Sequence, residues 1–234
     1  MSKRRVLLKL SGEALGGARG QGLDPQVLAN LATSIRELVA EDIALAVVLG
    51  GGNFWRGRSS GDMDRVVADH IGMLATTMNA LAFSDALRAA GVPNLILSAL
   101  SIPKIHDIFR KDKALEAWQE GKVLILAGGT GNPFFSTDST AALRGAELEV
   151  DVILKATLVD GVYDKNPHES ADAQLYKELS FTQLLSENLQ VMDATAAAIC
   201  RDNQIPIRVF NMETPGNILK AARGEAIGTL VSCL

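Results

Sequence analysis

Two kinds of apolar pattern alternate along the chain. Short, mostly apolar runs occupy residues 5–10, 43–49, 94–98, 122–127, 150–155, 205–210 and 228–231. Runs of this length, bounded by Gly, Pro or polar residues, predict strands buried on both faces. Between them lie segments with apolar residues every three or four positions, the signature of amphipathic helices. One follows Asp24-Pro25, an N-cap and a first-turn proline, and runs to about Glu41 with Val27, Leu31, Ile35 and Leu38 in register. A second spans about 63–90, with Val66, Val67, Ile71, Leu74, Met78 and Leu81 as its apolar stripe, and could be broken. Shorter helices are predicted over 114–120, from Ser136–Ser139 to about 149, over 181–186 behind Ser180, over 192–203 behind Asp193, and over 217–222. Residues 100–113 read as irregular, and 156–167 as a short hairpin with Asp-Gly and Asn-Pro turns. Pro206 restricts its strand to an edge, or itself to the first strand position. The alternation predicts an α/β protein with a mostly parallel sheet and helices on both faces.

The strand ends carry the candidate chemistry. The second run enters Gly50-Gly51-Gly52-Asn53-Phe54-Trp55-Arg56-Gly57. Glycines leave backbone N–H groups open to a ligand, and an arginine fork suits phosphate. The pattern recurs after residue 127 as Gly128-Gly129-Thr130-Gly131-Asn132-Pro133, followed by the hydroxyl-rich Ser136-Thr137-Asp138-Ser139. Free N–H groups at that helix start, with the Ser and Thr hydroxyls, predict a second anion site. Lys9 closes the first strand beside Ser11-Gly12. Taken singly, Lys9 reads equally as an edge lysine in water, Asp69 as a solvated helix residue and Asp138 as a carboxylate favouring a helix dipole. Together, three such ends on one rim would make a cleft with two phosphate-binding regions and a lysine between them. Phosphoryl transfer needs that layout, because it relies on positioning and on charge neutralisation.

Composition narrows the setting. At 234 residues the chain is long enough for one large α/β domain, with a composition shift near 150 marking two joined lobes. A net charge of −4 argues against broad nucleic-acid binding. Cys200 and Cys233 form neither a zinc pattern nor a disulfide framework, which fits a reduced cytoplasm. His70 has no second His or Cys at metal-ligand spacing. The apolar run near the N-terminus is interrupted by Lys9, and no later run reads as long enough to span a bilayer. The P-loop, the dinucleotide glycine fingerprint and the protein-kinase triplets are all absent.

The chain resembles the amino acid kinase family, and within it the bacterial UMP kinase group. The segments that carry the likeness are Lys9-Leu10-Ser11-Gly12-Glu13, Gly50-Gly51-Gly52-Asn53 with Arg56, and Asp69-His70-Ile71-Gly72. They continue with Gly129-Thr130-Gly131-Asn132-Pro133-Phe134-Phe135, Thr137-Asp138, Lys155-Ala156-Thr157, Val159-Asp160-Gly161-Val162-Tyr163 and Pro206-Ile207-Arg208-Val209-Phe210-Asn211. The resemblance implies a single three-layer α/β/α domain over 1–234. An acceptor-binding lobe would cover about 1–150 and an ATP-binding lobe about 151–234. It implies ATP-dependent phosphorylation of UMP to UDP with Mg²⁺, in pyrimidine nucleotide synthesis. Lys9, Arg56 and Asp138 would be catalytic, with Asp138 orienting Lys9 and organising the metal region, and no direct protein ligand to the metal is assigned. Lys9, Leu10, Ser11, Gly12, Gly52, Arg56, Thr157, Tyr163 and Asn166 would bind ATP. Gly51, Asp69, Thr130, Gly131, Asn132, Pro133, Phe134, Phe135, Ser136 and Thr137 would bind UMP.

Further expectations come with the resemblance: a cytoplasmic homohexamer, UTP as inhibitor, and GTP as activator through Gly17, Ala18, Arg19, Gly20, Gln21 and Gly22. Three positions depart from the family pattern. Asn166 stands where Asp is usual, Phe54-Trp55 is bulkier than the usual pair, and Arg19 replaces an expected acidic residue. Two other readings compete: a carbamate or acyl kinase of the same fold, which the TGNPFF segment disfavours, and a non-catalytic nucleotide- or oxyanion-binding protein, which should lack Lys9 or Asp138.

Overall fold

The computed structural model describes residues 3–55, 61–167, 169–170, 172–189 and 191–233. Arg56 and Gly57 lie outside the described residues. Among the described residues, nine strands form one sheet: β1 (Arg4–Leu10), β2 (Ile43–Leu49), β3 (Asn94–Ser98), β4 (Asp107–Ile108), β5 (Val123–Ala127), β6 (Val152–Thr157), β7 (Glu178–Ser180), β8 (Ile207–Asn211) and β9 (Thr229–Ser232). Their order across the sheet is β4-β3-β5-β2-β1-β6-β8-β9-β7. Every pairing is parallel except β8 with β9. The chain up to β5 supplies one side of the sheet and the chain from β6 onward the other, and they meet at the β1–β6 pair.

Side-chain alternation sorts the sheet into two packed faces. Val6, Leu8 and Leu10 of β1 and Leu154 and Ala156 of β6 pack on α2 (Pro25–Val39), α3 (Arg65–Ala89) and α8 (Asn217–Arg223). Leu7 of β1, Ala46 and Val48 of β2, and Ile153 of β6 face α4 (Lys111–Gln119), α5 (Thr137–Leu148), α6 (Phe181–Ser186) and α7 (Ala194–Asp202). The small Ala44 and Ala46 let the second helical layer approach β2, and the Trp118 indole there donates to the Leu45 carbonyl at 2.9 Å. The layers are therefore helix, sheet, helix. A four-residue helix, α1 (Gly12–Leu15), follows β1 directly.

The helices start at their caps. Asp24 accepts from Gln26 N and Val27 N at α2, Ser180 accepts from Gln183 N at α6, and Asp193 accepts from Ala196 N at α7.

Several sequence expectations change. α3 is one unbroken helix that starts at Arg65 rather than Met63, because Asp64 accepts from Val66 N and Val67 N. Its apolar stripe does not face the core: Val67, Leu74, Met78 and Leu81 are exposed. The face that packs instead carries Ala68, Met73, Thr76, Asn79, Ala80, Phe83 and Leu87. By length and composition this one helix would suffice to cross a bilayer, contrary to the reading that no run is long enough. Here its small and polar face lies on the sheet. Residues 100–113 hold β4 and the first turn of α4 rather than irregular chain. β7 escaped prediction because three residues carry too little periodicity. Pro206 is neither on an edge strand nor the first strand residue. It precedes β8, a strand between β6 and β9, and its carbonyl accepts from Ile153 N at 3.0 Å. The predicted hairpin over 156–167 reduces to one antiparallel bridge, Tyr163 with Leu175.

Candidate active site

The sheet order puts the ends of β5, β2 and β1 side by side, so Lys9 and both glycine turns share one rim. Lys9 is on a central strand, paired on both sides, which removes the edge-lysine reading. Its register partner on β6 is Lys155. Alternation points both away from the α2 face, toward α5. There, Asp138 in the first turn of α5 meets them both. Lys9 Nζ lies 2.7 Å from Asp138 Oδ1, a close charge contact. Lys155 Nζ donates to Asp138 Oδ2. The three side chains are 12%, 14% and 10% exposed for Lys9, Asp138 and Lys155, so this is a buried triad and not a surface ion pair.

Burial and charge act oppositely in this triad. Burial alone would raise the Asp138 carboxyl, but the Lys9 and Lys155 ammoniums outweigh it and bring it down to about 2. Burial, helped by the Lys9 charge, pushes Lys155 down to about 8 despite the Asp138 carboxylate.

Ser136 and Asp193 fix the carboxylate's position. Ser136 Oγ accepts from Asp138 N at 3.0 Å and from Ser139 N at 3.1 Å. Ser136 Oγ in turn donates to Asp193 Oδ2, and Ser139 Oγ donates to Asp193 Oδ1 at 2.9 Å. This changes which groups at the α5 start are free to meet an anion. Two of the N–H groups counted as free there are capped internally.

The glycine turns are held by α3. Asn79 is buried, its Nδ2 donating to the Gly50 carbonyl at 2.7 Å and to Asn53 Oδ1 at 2.7 Å. Thr76 Oγ1 accepts from Gly128 N at 2.8 Å. A Cβ on Gly51 would come within 2.8 Å of the Gly72 carbonyl, so glycine here permits the close approach of α3. A Cβ on Gly12 would meet Gly50 O and Gly52 N at 2.6 Å, so the chain after β1 rests directly on the first glycine turn.

Two clefts open on this rim. The smaller, about 160 Å³, is bounded by Gly51, Asp69, Gly129, Thr130, Asn132 and Phe135, with Ser136 and Thr137. The larger, about 1550 Å³, is bounded by Gly52, Glu13, Ala14, the loop 17–22, α2 and residues 212–219. Adjacent glycines of one turn thus face different clefts, and Trp55 borders both. Lys9 and Asp138 line neither. Asp138 directly follows the smaller cleft's Thr137.

Most of the expected acceptor residues gather at the smaller cleft. Asp69 accepts from Phe134 N at 2.8 Å and from Arg65 Nε at 2.9 Å, and the Arg65 guanidinium lies 5.7 Å from the Phe134 ring centre. Gly131, Pro133 and Phe134 stand on the same loop without lining the cleft, and Phe134 is exposed with φ of 71°. The expected donor residues are less gathered. Gly52 lines the larger cleft, beside Leu158 from the end of β6. Thr157 Oγ1 donates to the Val159 carbonyl at 2.6 Å, and Asn166 Nδ2 to Glu169 Oε1 at 2.8 Å. Tyr163 and Asn166 line neither cleft. Leu10 is fully buried in the sheet, and Ser11 starts α1. The loop 17–22 lines the larger cleft throughout, and Gly22 is tied to Asn53 by Gly22 N to Asn53 O at 2.9 Å and Asn53 Nδ2 to Gly22 O at 2.6 Å.

Lys155, Asn79, Thr76 and Arg65 received no role from the sequence, and Asp193 only that of a helix cap. Lys155 offered one signal, a charge inside a buried strand that must find a counter-charge. Among the described residues, no three His, Cys, Asp or Glu side chains gather as a metal site.

Comparison with known proteins agrees with this architecture. The amino acid kinase family pattern matches residues 4–211. A UMP kinase from Ureaplasma parvum superposes with a TM-score of 0.93 at 38% identity, covering 99% of this chain and 100% of its own. A UMP kinase from Bacillus anthracis superposes with a TM-score of 0.94 at 33% identity, covering 99% and 97%. A uridylate kinase from Archaeoglobus fulgidus is more distant, with a TM-score of 0.73 at 29% identity, covering 97% and 99%. On its sequence, its sheet and the match across nine-tenths of its length, the chain belongs to the amino acid kinase family.

Proposed function

We propose that the protein transfers the γ-phosphoryl group of ATP to UMP, giving ADP and UDP, in de novo pyrimidine nucleotide synthesis. One observation carries the reading: Lys9 and both glycine turns share one rim of the sheet, where Gly51 faces one cleft and Gly52 the other, and Thr137 of the smaller cleft directly precedes Asp138 of the buried Lys9–Asp138–Lys155 triad. UMP would occupy the smaller cleft, with Asp69 accepting from a ribose hydroxyl and residues 130–137 around the base and phosphate. ATP would approach from the Gly52 side, its phosphates over Ser11, Gly12 and Lys9, with Arg56 as a further cation. Thr157, Tyr163 and Asn166 would hold the adenine nucleotide. The names of the two bacterial relatives support UMP as the acceptor.

The chemistry asks little of the protein beyond placement. A UMP phosphate oxygen attacks the γ-phosphorus, and the bond to the β–γ bridging oxygen breaks, leaving ADP. The attacking oxygen is already anionic, so no general base is needed. Lys9 offers charge to the oxygens of the transferring group, and Asp138 fixes where that charge sits. Mg²⁺ fits as an ion carried by the triphosphate. Mg²⁺ keeps waters and phosphate ligands readily, and both Asp138 oxygens already face lysines. When bound it would neutralise phosphate charge.

The homohexamer, UTP inhibition, GTP activation through residues 17–22 and a cytoplasmic location belong to the same proposal. The Gly22–Asn53 tie supports a link from that loop to the phosphate turn. A coupled ADP-release assay with UMP, CMP, acetylglutamate and carbamate tests the reading. UMP should be by far the best acceptor. Preference for carbamate or acetylglutamate, or no turnover with any acceptor, rejects it.

A further inference from the structure

The triad holds one more lysine than the proposed transfer uses. Lys9 and Lys155 are register partners on neighbouring strands, and their ammoniums take opposite oxygens of one carboxylate. Within the triad the two ammoniums outnumber the carboxylate by one charge, and Asp193, whose charge also reaches Lys155, is engaged by Ser136 and Ser139. Without Lys155 the remaining Lys9–Asp138 pair is neutral, and the charge of Lys9 is spent on its partner. Without Asp138 two buried ammoniums would face each other unscreened. We propose that Lys155 is a positioning residue that neutralises Asp138, so that Lys9 keeps its charge for the transferring phosphoryl group. The inference rests on the kinase reading above and extends it to a residue that reading leaves without a role.

The surroundings agree. Lys155 is faced by Lys9 from β1, Asp138 from the first turn of α5 and Asp193 from the start of α7. Asp193 is already occupied by Ser136 and Ser139, the residues that set the first turn of α5. Asp138 is therefore held from behind by Ser136 and from both oxygens by lysines, and Lys155 is the half of that clamp on the ATP-lobe side of the β1–β6 boundary.

A double-mutant cycle on the full chain tests the charge balance, with Lys155→Met, Asp138→Asn and the double variant assayed on UMP and ATP. Lys155→Met should lower kcat by about 10²-fold with little change in KM for UMP, the mark of an interaction realised in the transition state. Removing the carboxylate as well restores the net charge, so the loss in the double variant should be at least about tenfold smaller than the product of the two single losses. Losses that simply multiply overturn the proposal, since they describe a lysine acting independently of Asp138. A second measurement starts from the wild-type protein and uses only a charge-conserving variant. Wild-type kcat/KM should fall above about pH 8, where Lys155 loses its proton, and Lys155→Arg should carry that fall upward. A fall at the same pH in Lys155→Arg overturns it equally, because the titrating group is then not Lys155. If wild-type protein fails to phosphorylate UMP at all, the kinase reading falls. If it turns over and the losses multiply, only this inference does.

Discussion

At the scale of single residues, the account depends on where buried charges find partners. Lys155 and Asp138 both make stability rise with pH, in separate windows, because each binds its proton less tightly in the folded chain than in the unfolded one. Asp138 sits at about 2 in the folded chain against an ordinary 3.8, so its contribution is full above 3.8 and lost as pH falls toward 2. Lys155 sits at about 8 against 10.5, so between those values the unfolded chain binds more protons and stability rises with pH. Thermal melts should therefore show a decline below about pH 4 that shrinks in Asp138→Asn, and a rise from 8 to 10.5 that Lys155→Met lacks. Asp69 makes a different prediction. Asp69→Ala removes a charged acceptor from the smaller cleft and leaves Phe134 N unpartnered, so KM for UMP should rise about tenfold or more while KM for ATP moves less. The reverse ordering in steady-state kinetics would remove Asp69 from the UMP side. Asp69 and Asp138 were visible in the sequence as candidates. Arg65 was not, because an exposed helix arginine carries no mark of the carboxylate four residues on.

At the scale of elements, α3 is the post to which both glycine turns are tied. Its sequence hid this. The conspicuous apolar residues Val67, Leu74, Met78 and Leu81 point outward, while the face on the sheet is built from Ala, Thr, Asn and Phe. Periodicity finds the larger side chains, and close packing against glycine turns requires small and polar ones, so the two signals separated. Asn79→Leu would take the Asn79 amide donor away from the Gly50 carbonyl and from Asn53 Oδ1. It should cost about 1–3 kcal/mol, with a thermal midpoint lower by roughly 2–4 °C per kcal/mol for a chain of this size, and should reduce kcat. A melt unchanged from wild type would mean that α3 does not hold the turn. The strands were read more accurately than the helices. β2 and β3 fall where unbroken apolar runs end at Gly or polar residues. β4 and β7, at two and three residues, are too short for any period to register.

At the scale of the whole molecule, the sheet order does what no local pattern could announce. The sequence offered three glycine- or lysine-bearing strand ends, and only the order β5-β2-β1 with every pairing parallel makes them neighbours. The division of Gly51 and Gly52 between two clefts is likewise a property of the assembled rim. The proposed homohexamer is tested by sedimentation with and without UTP. The account expects a species six times the 24.9 kDa of one chain, and a monomer under both conditions contradicts it. The central claim is that the Lys9 ammonium serves the transfer and not the binding of UMP. The measurement that reaches it most directly pairs turnover of Lys9→Ala with calorimetric titration of UMP into the same variant. The account predicts a kcat lower by at least about 10²-fold with UMP still bound at near wild-type affinity; unchanged turnover, or UMP binding lost together with turnover, contradicts it.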